Sequence, residues 1–201
     1  MNFSIKAALS ATIILISASC GNGNNKNNET AQDATSAINM DDVAIIKPSI
    51  TNADQLLTKQ IDGIYNSYLQ VQSALAADQF SKASVAANEL NTVLSDFKDS
   101  TMPENQKQAY ETHISAIRES ANKIVNSKNI EQQRISFEPL STHVFDLLKS
   151  FGSNKPVYET HCSMAFDNKG ASWLSDQPVI RNPYYGNKML ECGEVMSVIK
   201  K

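Results

Sequence analysis

Histidine, cysteine and tryptophan are scarce in this chain, at three, three and one among 201 residues. No Cys-x-x-Cys pair occurs, which excludes a zinc ribbon. No Glu-x-x-His pair is present, which excludes the ligand set of a di-iron helical bundle. A Gly-rich phosphate loop, a Ser-His-Asp set and matched paired carboxylates are also missing, so an enzyme is not expected. Basic excess is absent: 18 Lys and Arg face 21 Asp and Glu, for a net charge of −3 and a pI near 5.6. With no basic stripe either, nucleic acid is not an expected partner. Nowhere does an apolar run reach the length of a membrane-spanning helix.

What is present falls into three unequal parts. The start, "MNFSIKAALSATIILISASC", has one early positive charge, Lys6, an apolar run from Ala7 to about Ile16, and small residues Ser17-Ala18-Ser19 before Cys20. This is the pattern of a signal peptide over residues 1–19. A cysteine directly after small residues resembles a bacterial lipobox, although Ser17 stands where a leucine is usual. That resemblance implies lipidation at Cys20 and an exported, membrane-anchored lipoprotein facing the periplasm. The competing reading is ordinary secretory cleavage beside a chance cysteine. Residues 20–50 follow, rich at first in Asn, Gly, Ser and Thr and without a helical stripe. Such a segment buries too little apolar surface to order itself and is expected to be a tether.

From Thr51 to about Phe151 the apolar residues recur every three or four positions. Leu57, Ile61, Ile64, Tyr68, Val71 and Leu75 form one stripe. Ala83, Ala87, Leu90, Leu94 and Phe97 form a second. Tyr110, Ile114, Ile117, Ala121 and Ile124 form a third. Ile130, Gln133, Phe137, Leu140, Val144, Leu147 and Phe151 form the fourth. Each set lies on one face of a helix. The breaks at "AADQ", "DSTMPE" and "SKN" are short, so neighbouring helices run antiparallel. The expected fold is all-α, an up-down four-helix bundle. Pro139 interrupts the fourth stripe and predicts a kink or a late helix start capped by Ser136. His113 and His143 each stand alone beside a stripe, and each reads as a structural residue.

Residues 152–201 break the pattern. They hold four of the seven glycines, three of the six prolines, the single Trp, and two of the three cysteines. "DNKG" and "NPYYGN" are turn signals. The expectation is a compact irregular tail with at most short strands, packed on the bundle. Within it, "THCSMA" gathers His161, Cys162 and Met164, and "KMLECG" carries Met189 and Cys192. If the first stretch is extended, Cys162 and Met164 share a side and His161 points away. If the second is a helical turn, Met189 and Cys192 share a face. Bringing the pairs together would join two thiols and two thioethers. Such soft ligands select Cu(I), or a similarly soft ion, over Mg, Ca or Mn. His161 could join them if the backbone turns there, and Met196 is a more distant candidate. A disulfide between Cys162 and Cys192 competes with this reading, since exported cysteines pair readily. It would close a loop of about thirty residues and stabilise the tail by roughly 3–4 kcal/mol on the chain-entropy model. Trp173, Tyr184 and Tyr185 could shield a soft ion or anchor the tail to the bundle, and the two roles are compatible.

The tail also resembles a known family. The residues that carry the likeness are Cys162-x-Met164-Ala165, Gly170-Ala171-x-Trp173-Leu174-Ser175, Ile180-x-Asn182-Pro183-Tyr184 and Gly186-x-x-Met189-Leu190-x-Cys192-Gly193. They are similar to the end of the family called domain of unknown function 3347, and the likeness spans roughly Asn52 to Val195. Ser163 stands where that family usually has proline. The resemblance implies an association with copper or related heavy metals and a heavy-metal efflux adaptor as a partner. A structural or interaction module that docks a membrane-associated partner, with the cysteines joined as a disulfide, is the other expectation.

Overall fold

The four stripes form four helices in the computed structural model, which describes residues 43–97 and 102–201. They are α1 (Gln55–Ala76), α2 (Phe80–Asp96), α3 (Glu104–Val125) and α4 (Ile130–Phe151). The signal peptide, Cys20 and most of the tether lie outside the described residues. Asp54 starts α1 by accepting from the Leu57 N–H at 2.8 Å, and Asn129 starts α4 by accepting from the Gln132 N–H at 2.9 Å. Both satisfy a donor that the first helical turn would otherwise leave unpaired. Gly152, with φ of 70°, ends α4.

Side-chain hydrogen bonds show which helix ends meet. Gln133 donates to the Phe80 carbonyl (3.1 Å) and Ser84 Oγ (2.8 Å), joining the starts of α4 and α2. Gln60 donates to the Val93 carbonyl (3.1 Å) and Tyr110 Oη (3.0 Å), joining the start of α1, the end of α2 and the start of α3. The helices therefore alternate in direction, as short connections require. Leu57, Ile64, Tyr68, Leu75, Leu90, Ile117, Phe137 and Leu140 are fully buried between them. Burying each such side chain contributes about 1.5–3 kcal/mol.

Three expectations need correction. The first concerns the tail, which is not irregular with at most short strands. It supplies β2 (Val157–Cys162), β3 (Ala171–Ser175) and β4 (Glu194–Ile199), with a short turn element α5 (Ala165–Asn168) between β2 and β3. With β1 (Ala44–Ile46) these make one four-stranded sheet, ordered β1-β4-β2-β3. β2 is central, antiparallel to both β3 and β4, with a register shift between Glu159 and Thr160. Its polar residues hid it from pattern reading. They are satisfied across the sheet, as where Ser197 Oγ donates to Glu159 Oε2 at 2.7 Å.

The second concerns the tether, which ends before residue 50. β1 lies within the segment expected to be a linker and pairs in parallel with β4. The Ser49 and Ile50 N–H groups then bond the carbonyls of Lys149 and Ser150 at 3.1 and 2.8 Å. The β-branched run in "VAII" finds its partner only about 150 residues later, which no local pattern reveals. The third concerns α4, which neither starts late nor is capped by Ser136. It runs from Ile130 through Pro139, and Ser136 Oγ donates back to the Gln132 carbonyl at 3.0 Å.

The sheet meets the bundle along β3. Tyr68 Oη accepts from the Leu174 N–H at 2.9 Å and shares a 2.8 Å hydrogen bond with Ser141 Oγ. A buried helix side chain thus satisfies an edge-strand donor. Trp173, Tyr184 and Phe137 pack the tail onto α4, Trp173 edge-on to Tyr184 with ring centroids 6.1 Å apart and Phe137 tilted against Tyr184 at 5.8 Å.

Candidate functional site

Cys162 ends β2 and Cys192 ends the loop that returns to β4. Alternation along β2 buries Thr160 and Cys162 on one face and leaves His161 on the other. The loop from Arg181 to Gly193 must then be held so that Cys192 arrives beside Cys162. Asn182 is wholly buried and performs most of that task. Its Oδ1 accepts from the Tyr184 and Tyr185 N–H groups (2.8 and 3.2 Å), and its Nδ2 donates to the Cys192 carbonyl at 2.8 Å. The Asn182 N–H also donates to the Leu190 carbonyl at 2.7 Å.

The bundle fixes the outside of the same loop. Arg134, buried in α4, donates to the Pro183 carbonyl at 2.9 Å and pairs with Asp78 at 2.5 Å. Asp78 accepts from the Asn187 N–H at 3.0 Å, and Gln72 donates to the Arg181 carbonyl at 2.7 Å. The Asn187 N–H and the Arg134 guanidinium hold the Asp78 carboxyl below its usual range, while its partial burial opposes them. Gly186 has φ of 58°, and a Cβ there would collide with Asp78 and Arg134. Only glycine fits this docking point.

Both cysteines are free thiols, Cys162 buried and Cys192 half-buried. They are direct neighbours. Burial pushes the Cys192 thiol up to about 11, and the hydrogen bond and charge of Cys162 push the same way. Tyr185 stands close by: burial, then the charges of Cys162 and Cys192, raise its phenol above the ordinary value. Its hydroxyl donates to the Met164 carbonyl at 2.6 Å. That bond brings the backbone of the Met164 segment to the thiol pair.

The expected geometry holds in part. "THCSMA" is extended only through Cys162; Met164 has helical angles (φ −84°, ψ −13°) and is exposed. Beyond it, Phe166, Asp167 and Asn168 all have positive φ, at 50, 57 and 64°. Such angles cost about 1–2 kcal/mol per residue and mark a strained connection. "KMLEC" is a turn rather than an α-helical one, with the Cys192 N–H bonded to the Met189 carbonyl at 3.1 Å and Met189 half-buried. His161 does not join. Its Nδ1 lies 3.0 Å from Ser172 Oγ, its ring packs over Gly170, and it lines a cleft with Glu138, Thr142 and Glu159. Among the described residues no three His, Cys, Asp or Glu side chains converge as a metal site. Trp173 and Tyr184 are buried anchors, and Tyr185 is the ring beside the thiols.

Sequence reasoning missed three contributors. Asn182 figures only as part of a turn and a family likeness, Asp78 only within the helix break "AADQ", and Arg134 not at all. "NPYYGN" signals a turn, but nothing in it shows that the Asn182 side chain bonds the Tyr184 and Tyr185 N–H groups and the Cys192 carbonyl. The histidines also differ from expectation. His113 and His143 do not stand alone but face each other across α3 and α4, with Nδ1 atoms 3.5 Å apart.

No curated protein and no solved structure matches the chain. One family model does, from Ile64 in α1 to Pro156 just before β2. The match covers the bundle from the middle of α1 onward and stops short of the Cys162 and Cys192 segments. That model is of the family described as Protein of unknown function (DUF3347), and residues 64–156 of this chain are similar to it.

Proposed function

We propose that this chain is an exported, membrane-tethered module that binds a soft metal ion, Cu(I), at the Cys162–Cys192 pair. The observation that carries the reading is the meeting of two free thiols from segments thirty residues apart, beside a strained turn and an aromatic ring. Two thiolates give a soft, anionic pair, and the Met164 and Met189 thioethers are the nearest soft donors in sequence to each. Thioethers carry no proton, so they would hold the ion under mild acid. His161 is left out because it lies on the opposite face of β2. The module would buffer the ion or pass it to an efflux adaptor, and lipidation at Cys20 would keep it at the membrane.

A Cu(I) competition titration against a coloured chelator tests this. The reduced chain should bind one equivalent tightly, and Cys162→Ser/Cys192→Ser should lose that binding. Equal weak binding in both would overturn the reading. The neighbouring thiols favour one alternative, an interaction module stapled by a disulfide. Intact mass of untreated protein, lower by two hydrogens and with no Cu(I) uptake after reduction, would support it.

A further inference from the structure

A second pair of ligating side chains lies in the bundle, away from the thiols. His113 on α3 and His143 on α4 are both half-buried, with ring centroids 5.8 Å apart and planes tilted by 46°. Their Nδ1 atoms are 3.5 Å apart. That is the outer limit of a hydrogen bond between the two rings. It is close to the separation of two imidazole nitrogens on one tetrahedral ion, about 3.3–3.4 Å for metal–nitrogen bonds of about 2.0–2.1 Å.

The helix beneath each ring is packed into the core. On α3 the flanking Tyr110 and Ile117 are buried, and on α4 so are Leu140, Val144 and Leu147. Two histidines held on packed helices are set for chelation without ordering a loop. Asp146, one helical turn beyond His143, is close enough for its charge to act on His113, and its carboxylate is paired with Lys149 at 2.6 Å. No third His, Cys, Asp or Glu closes the site among the described residues.

We propose that His113 and His143 form an open two-imidazole site for a tetrahedral, borderline-soft divalent ion of the Zn(II) kind. Imidazole suits such an ion, whereas the thiol and thioether donors of the tail suit a softer one. The remaining positions on the ion are left to water, to an external ligand, or to Asp146 once it releases Lys149. The chain would then hold two metal sites of different chemistry, one on its helices and one in its sheet.

The test is calorimetric titration of the full chain bearing Cys162→Ser/Cys192→Ser with Zn(II) alone. One equivalent should bind. His113→Gln or His143→Gln should each weaken binding at least tenfold, and His161→Gln should leave it unchanged. In the parent chain with intact thiols, Zn(II) should shift the imidazole proton resonances of His113 and His143 together. Zn(II) binding that survives both His→Gln changes, or parent resonances of His113 and His143 that stay still at saturation, would overturn the proposal.

Discussion

The bundle and the sheet beside it are built by different means. Bundle helices are specified by local repeats: stripes such as Leu57, Ile61, Ile64 and Tyr68 bury one face whatever lies elsewhere. The sheet and its loop depend on a few polar atoms meeting across long sequence distances, Asn182 with Cys192, Arg134 with Pro183, and Tyr68 with Leu174. Losing one member of a stripe weakens the whole packed body, whereas losing one bond of the network acts on the loop it holds. The thiol pair sits on the network, where its geometry is set, and the bundle serves as the wall against which the network is anchored.

The sharpest way to break this contrast is to damage each side in turn. Leu140→Ala, in the fully buried centre of α4, should cost about 2–5 kcal/mol and lower the stability of bundle and sheet together. Urea unfolding followed by far-UV circular dichroism and by Trp173 fluorescence should give coincident, shifted transitions. Asn182→Ala should act differently. It leaves the buried Tyr184 N–H and the partly buried Tyr185 N–H and Cys192 carbonyl unpaired, at a cost of about 2–4 kcal/mol. That cost falls on the loop, so the helical signal should persist while Cu(I) affinity and the Trp173 emission change. Tyr68→Phe removes the acceptor of the Leu174 N–H and the partner of Ser141, for about 1–3 kcal/mol. Hydrogen exchange at the Leu174 amide should accelerate, with helical amides little affected.

Two smaller effects follow from titration. The Cys192 thiol titrates in the folded chain near about 11, above its ordinary value of 9.0. Its contribution to stability is full below pH 9 and is lost as pH rises toward about 11. Thiol alkylation at neutral pH should accordingly be slow, and Cys192→Ser should remove the alkaline loss of loop order. Asp78 is shifted the other way. Its folded value lies below 3.8, so its contribution is present above that pH and is lost as acid titrates the folded carboxylate. An acid titration of Trp173 fluorescence should show a step that Asp78→Asn abolishes.

The same contrast explains what the sequence revealed. Every stripe residue from Leu57 to Leu75 is buried, because a period of three to four residues carries its own evidence. The metal reading and the disulfide reading of the tail both brought Cys162 and Cys192 together, since they are the only two cysteines after Cys20. What stayed hidden was long-range or polar. β1 depends on β4, β2 mixes Glu159 and His161 with buried residues, and the loop rests on Arg134 from a helix that looked like plain scaffold. His113 and His143 are thirty residues apart on different helices, so only their packing brings them together.

The central claim is that sulfur from the two tail segments forms one metal site. X-ray absorption at the copper edge, on the one-to-one Cu(I) complex of the reduced chain, tests it most directly. The account predicts a shell of sulfur neighbours that collapses in Cys162→Ser/Cys192→Ser and loses sulfur in Met164→Leu/Met189→Leu. A shell of nitrogen or oxygen, unchanged by the cysteine substitutions, would contradict it.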